Sequence, residues 1–77
     1  MSENKRVVGV RQLVRALEAG SISHVYIAED ADPQVVRRVL ELCAQGSVET
    51  TRIATMRELG AACKIEVGAA VAGDLRE

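Results

Sequence analysis

The run from His24 to Ala28 constrains the fold of this chain more than any other stretch. It is dense in β-branched and aromatic side chains, which favour strands. Its apolar character is nearly continuous, whereas a strand with one wet face would alternate polar and apolar residues. Continuous apolar strands are typical of sheets that helices cover on both faces. We therefore predict a central, buried strand here.

Apolar side chains at helical spacing predict a helix that begins at Gly9 and ends at Gly20. Gly20 is placed at a C-cap position, where a left-handed backbone is common. Arg11, Gln12 and Arg15 lie off the apolar stripe, so we expect them to face solvent. The stripe itself consists of Val10, Leu13, Val14 and Leu17.

Capping patterns predict two further helices. Asp32 is placed to cap the second helix, Pro33 takes its first position, and Gly46 ends it. Thr55 and Glu58 have the spacing of a capping box, in which each side chain accepts a hydrogen bond from the backbone N–H of the other. A short third helix is therefore expected to begin at Thr55 and to end near Gly60.

The remaining segments complete an α/β pattern. We expect a brief strand or extended entry at residues 5–8, an edge strand at 48–53, a small-residue strand at 69–73 and a polar tail at 74–77. The alternation of helices and strands predicts a three-layer α/β/α sandwich with a small mixed sheet. At 77 residues the whole chain is expected to form a single domain.

Several classes of function are disfavoured by composition. Cys43 and Cys63 stand apart with no CxxC pair and one histidine in the chain, so a zinc site is not expected. The lone His24 gives no catalytic constellation, and the carboxylates at 29–32 lack the spacing of a calcium loop. No phosphate-cradling glycine pattern appears. We predict a protein that is not an enzyme and has no cofactor or metal.

No membrane-spanning run or signal-peptide pattern is present, which predicts a cytoplasmic protein without a membrane partner. Residues 1–15 carry four cationic side chains against one acidic side chain, although the chain has a net charge of −1. Arg11 and Arg15 are one helical turn apart and repel by roughly 0.2–0.5 kcal/mol in an isolated helix. An anionic partner would explain them, and a solvated helix face is the alternative.

With these segments in hand, the chain resembles the ribosomal protein L7Ae family, and within it the short bacterial members that bind kink-turn RNA. The resemblance covers about residues 5–73 and depends on three segments in the correct order. They are Gly9 to Arg15 followed by Gly20, Val25 to Ala28 running into Asp30-Ala31-Asp32-Pro33, and Leu59 to Ala70.

The resemblance implies an α/β/α sandwich that binds kink-turn RNA, a duplex sharply bent beside tandem sheared G·A pairs. Gly9 would offer a backbone contact, Arg11 and Gln12 would read bases, and Arg15 would take the place of a family lysine. The segment from Ile65 through Glu66 to Val67 would pack on bases in the bulge. The RNA could be ribosomal, a riboswitch or another structured RNA, and the protein is expected to be a monomer.

Two departures from the family pattern concern specific residues. Arg11 and Gln12 replace Asn and Glu, which changes the hydrogen-bonding polarity toward RNA. Lys64 stands where the family often has glycine. If that position needs a positive φ, Lys64 adopts it at some strain, and its ammonium group could instead contact a phosphate. Lys5 and Arg6 are further phosphate candidates or solvated terminal charges.

The loop and the fold each allow an alternative interpretation. Ile65 and Val67 either fill the core or meet a flat base surface. The fold is also similar to that of stress-response regulators that bind proteins, so a protein-interaction module is the alternative function. Binding of single-stranded RNA by stacking is disfavoured, because Tyr26 is the only aromatic residue of the Phe, Tyr and Trp class.

Overall fold

The computed structural model describes residues 6–76. It contains three helices and a four-stranded sheet, as the alternating pattern predicts. In chain order the elements are β1 (Arg6–Val8), α1 (Val10–Glu18), β2 (Ile22–Ala28), α2 (Pro33–Gly46), β3 (Glu49–Ile53), α3 (Met56–Ala62) and β4 (Val71–Leu75).

The strands form one mixed sheet in the order β1, β4, β2, β3. β4 pairs antiparallel with both β1 and β2, and β2 pairs parallel with β3. β2 is thus a central strand, and β3 lies at an edge, both as predicted. Val25 and Ile27 are fully buried on one face of β2, and Ala28 is fully buried on the other.

The helices cover the sheet as a three-layer sandwich. α1 and α2 pack on one face through a core that includes Leu13, Val39 and Cys43. α3 packs on the opposite face through Leu59, together with Ala28 and Ala72 of the sheet. The core is aliphatic, because the chain has no Phe or Trp to fill it. No helix within residues 6–76 is long and apolar enough to cross a membrane.

The last strand corrects one prediction. It spans Val71–Leu75, not residues 69–73, and Asp74 lies within the strand instead of in a polar tail. Pairing explains the shift, because Asp74 stands opposite both Arg6 of β1 and His24 of β2. β1 is a true strand for the same reason. The predicted involvement of Lys5 and the end of the tail at Glu77 lie outside the described residues.

All three helices begin at the same end of the sheet. β1, β2 and β3 point their carboxyl ends toward that end, since each runs parallel to the others and antiparallel to β4. We call it the helix-start end. β4 begins there, so the loop between α3 and β4, residues 63–70, returns to the same place.

Candidate functional site

The start of α1 differs from the starts of the other two helices. The N-cap residue Gly9 has φ 107°, and no side chain of residues 6–76 caps the helix. In contrast, the Asp32 carboxylate accepts a hydrogen bond from the Gln34 N–H (2.9 Å), and the Thr55 hydroxyl accepts one from the Glu58 N–H (3.0 Å). The first turn of a helix carries N–H groups without intrahelical partners and a partial positive charge. At α1 this donor-rich end is left open.

Three polar side chains extend from the first turns of α1. Arg11, Gln12 and Arg15 are all exposed, while Leu13 between them is fully buried against the sheet. Neither arginine forms an ion pair with an acidic group within residues 6–76. Arg11 lies in the first turn, where the helix dipole disfavours a cation by roughly 0.3–1 kcal/mol. An anionic ligand would relieve that cost.

The loop after α3 begins with a Schellman motif, which fixes its path. Lys64 has φ 64°, and its N–H donates to the Ala61 carbonyl at 3.0 Å. The Ile65 N–H donates to the Gly60 carbonyl, also at 3.0 Å. Glycine usually takes the left-handed position of this motif because it has no Cβ. The positive φ considered for Lys64 is therefore present.

The structure separates the two apolar side chains of that loop. Ile65 is half-buried and packs on the α3 core, so it fills the core as in the simpler of the two readings. Val67 is 70% exposed, and among the described residues it is the one large hydrophobic side chain that is largely exposed. Glu66 and Val67 line a shallow cavity with Met56 and Arg57. Ile65 lines part of the same cavity, and Val67 is the apolar side chain of the loop that is largely exposed to a ligand.

Backbone hydrogen bonds connect α1 and the loop at the helix-start end. The Gly9 N–H donates to the Val71 carbonyl at 3.2 Å, which ties the start of α1 to the end of the loop. Met56 is held from both sides, since its N–H donates to Asp30 Oδ1 (2.7 Å) and its carbonyl accepts from the Ala69 N–H (3.0 Å). Asp30 thus positions α3 and the loop together, a role that the sequence pattern did not reveal.

Lys64 and Arg6 lie together elsewhere, around a cavity of about 260 Å³ beside β1 that Cys63 also lines. Arg6 is not a free cation, because Nε contacts Asp74 Oδ1 at 3.1 Å and Nη1 donates to the Ala62 carbonyl at 3.1 Å. These contacts do not favour Arg6 as a phosphate ligand. They also show that Arg6 is not a solvated terminal charge. Lys64 is exposed and forms no ion pair within residues 6–76.

Sequence reasoning also missed the cationic side chain of Arg38. It lines a groove with Arg11. No group of three or more His, Cys, Asp or Glu side chains within residues 6–76 could hold a metal ion. The described surface therefore offers cations, an open helix start and one exposed apolar tip.

Comparison with known proteins finds a matching family. Residues 1–76 match the Ribosomal protein L7Ae/L30e/S12e/Gadd45 family. An RNA-binding protein of Geobacillus sp. strain WCH70 is 43% identical over 99% of this chain and 93% of its own length. The large ribosomal subunit protein eL8 of Halobacterium salinarum is 37% identical over 83% of this chain, which spans 54% of that protein.

The fold matches a solved structure as well. The Giardia lamblia 15.5kD RNA binding protein superimposes with a TM-score of 0.87 and is 27% identical, with 95% of this chain covered. The chain spans 62% of that protein's length. The names of these three proteins describe RNA-binding and ribosomal proteins and no enzyme, which agrees with the prediction of a binding function.

Proposed function

The chain belongs to the Ribosomal protein L7Ae/L30e/S12e/Gadd45 family, and from that premise we propose that it is an RNA-binding protein that recognises and stabilises kink-turn RNA. The start of α1 reads the sheared G·A pairs, and the tip of the 63–70 loop packs on bases in the bulge. The observation that carries the proposal is the meeting of these two elements at one end of the sheet, held by the hydrogen bond from the Gly9 N–H to Val71.

The chemistry of the exposed groups suits distorted RNA. Arginine presents a planar fork of donors that fits guanine O6 and N7, and glutamine can both donate and accept. These guanine atoms lie in a deep, narrow groove in regular A-form RNA, so a protein reaches them only where the duplex is distorted. A bend at a bulge provides such access. Arg11 and Gln12 lie side by side at a helix start without a side-chain cap, which supports this proposed contact.

The protein acts by population shift in this proposal, because it binds the bent RNA more tightly than the extended RNA. Arg15 on the next turn of α1 contributes a phosphate contact, and Lys64 a second one from beside β1. The target is a structured RNA, and ribosomal RNA is one candidate, since a relative is named as a ribosomal subunit protein. We further propose that residues 1–77 form a single domain and that the protein is a cytoplasmic monomer.

The test compares the binding of two RNAs by fluorescence anisotropy at physiological salt. One is a kink-turn duplex, and the other is the same duplex with its sheared G·A pairs changed to G·C. We expect the wild-type protein to prefer the first. Equal, weak binding to both would refute kink-turn recognition and favour a protein-interaction module that uses the exposed Val67 tip.

Two variants assign the contacts. Gln12→Ala should reduce the preference for the G·A duplex, at a cost of about 1–3 kcal/mol in discrimination, while Gln45→Ala at the far end of α2 serves as a matched control. Arg15→Ala should weaken binding to both RNAs and lower the salt dependence. If Gln12→Ala weakens both RNAs equally, Gln12 is not a base-reading residue.

A further inference from the structure

An open groove lies between α1 and α2 next to the proposed RNA site. Both helices begin at the helix-start end and pack on the same face of the sheet. The groove has a volume of about 400 Å³, and its lining residues are Val10, Arg11, Val14 and Arg38. Its lining therefore combines two valines of α1 with one arginine from each helix.

The charges of this groove have one sign. Arg11 and Arg38 are both exposed, and neither forms an ion pair within residues 6–76. No carboxylate is among the residues that line the groove. Arg38 also lines the adjoining cavity, where Asp32, Glu41 and Arg37 are further lining residues. The Asp32 carboxylate is engaged with the Gln34 N–H.

We propose that this α1–α2 groove binds the sugar-phosphate backbone of the RNA beyond the kink, with Arg38 as a phosphate ligand. Arg11 belongs both to the helix start and to the groove, so a strand that leaves the α1 site next to it meets Arg38 on α2. Arginine pairs with phosphate through two parallel hydrogen bonds. The inference rests on the proposed function, because it extends the same RNA across a second helix.

The experiment measures the affinity of the full chain for the kink-turn duplex over a range of salt concentrations. Arg38→Gln should lower the slope of log affinity against log salt by about 0.7 to 0.9, the contribution of one phosphate contact. At physiological salt the loss of affinity should be about twofold to fivefold. The preference for G·A over G·C pairs should not change, because phosphate contacts carry no base information.

Arg37→Gln is the matched control. Arg37 is also exposed and is adjacent to Arg38 on α2, but it does not line the α1–α2 groove. Its replacement by Gln removes the same charge as Arg38→Gln. We expect its slope to remain close to that of the wild type, and Arg38→Lys to recover most of the slope. Equal losses for the Arg37 and Arg38 variants would show a general effect of net charge and would overturn the groove.

The two proposals fail in different ways. If the wild-type protein prefers the kink-turn but Arg38→Gln has the same salt slope as the wild type, only the proposal of phosphate binding in the groove is overturned. If the wild-type protein shows no preference, but Arg38→Gln reduces the salt slope and Arg37→Gln does not, kink-turn recognition is overturned. The groove is then retained as an RNA contact.

Discussion

The left-handed backbone conformation of Lys64 lowers stability, whereas its side chain is proposed to contribute to RNA binding. The Schellman motif at the end of α3 requires a left-handed residue, and Lys64 provides it with φ 64°. A side chain with a Cβ pays roughly 1–2 kcal/mol in that region relative to a right-handed conformation. The position keeps a lysine nevertheless, with its ammonium group exposed.

We expect Lys64→Gly to stabilise the protein by about 0.5–1 kcal/mol, because glycine adopts this conformation without strain. The greater conformational entropy of glycine in the unfolded state offsets part of this stabilisation. Urea unfolding measures the change. Lys64→Ala keeps the strain and should be close to neutral.

Both variants remove the ammonium group, so if Lys64 contacts a phosphate, both should lose RNA affinity equally. Unchanged affinity in both would remove Lys64 from the RNA site.

At the scale of elements, two aspartates perform the same chemistry at two helix starts. The Asp32 carboxylate accepts from the Gln34 N–H of α2, and the Asp30 carboxylate accepts from the Met56 N–H of α3. Asp32 acts within its own helix start, whereas Asp30 reaches across from the end of β2. Because Met56 also accepts from Ala69, Asp30 is connected to the 63–70 loop through one residue.

Asp30→Ala and Asp32→Ala should each lower the free energy of unfolding by about 0.5–2 kcal/mol, as the loss of a helix cap does. Only Asp30→Ala should also loosen the loop. Amide hydrogen exchange at Ala69 is the measurement, and we expect it to accelerate in Asp30→Ala beyond the acceleration in Asp32→Ala. Equal protection of Ala69 in the two variants would contradict the positioning role.

Elements whose signals are local were predictable from the sequence. The Asp32–Pro33 start of α2 and the Thr55 cap of α3 occur as predicted, and the structure shows the Thr55 half of the predicted capping box. The placement of Asp74 in β4 was not predictable, because it depends on Arg6, 68 positions away. The shared groove of Arg38 and Arg11 was not predictable either, since it requires the packing of α1 on α2.

At the scale of the whole molecule, one side-chain cluster joins the beginning and the end of the described chain to the central strand. Asp74 of β4 accepts from Arg6 of β1 through Oδ1 (3.1 Å) and from the Tyr26 hydroxyl through Oδ2 (2.9 Å). The guanidinium of Arg6 also lies 5.8 Å from the centre of the Tyr26 ring. Three strands are thus tied together on the face that α3 covers in part.

This cluster predicts how stability depends on alkaline pH. The hydrogen bond to Asp74, aided by burial, raises the pKa of Tyr26 above its ordinary value of about 10. The folded state therefore holds the tyrosine proton longer than the unfolded state does. The resulting stabilisation is complete below about pH 10 and is lost as the pH rises through the folded pKa. Tyr26→Phe should make the alkaline decline in stability less steep.

Tyrosinate absorbance measures the pKa directly, because Tyr26 is the only tyrosine in the chain. Asp74→Asn should lower the titration midpoint toward the ordinary value, since the amide oxygen accepts the same hydrogen bond without the negative charge. Arg6→Gln should raise the midpoint, because the nearby Arg6 charge lowers the pKa of Tyr26. Both variants disturb the same Arg6–Asp74 contact, so a general loosening of the strands would move the two midpoints in the same direction. Opposite shifts are expected only if the charges of Asp74 and Arg6 act on Tyr26 in the folded sheet.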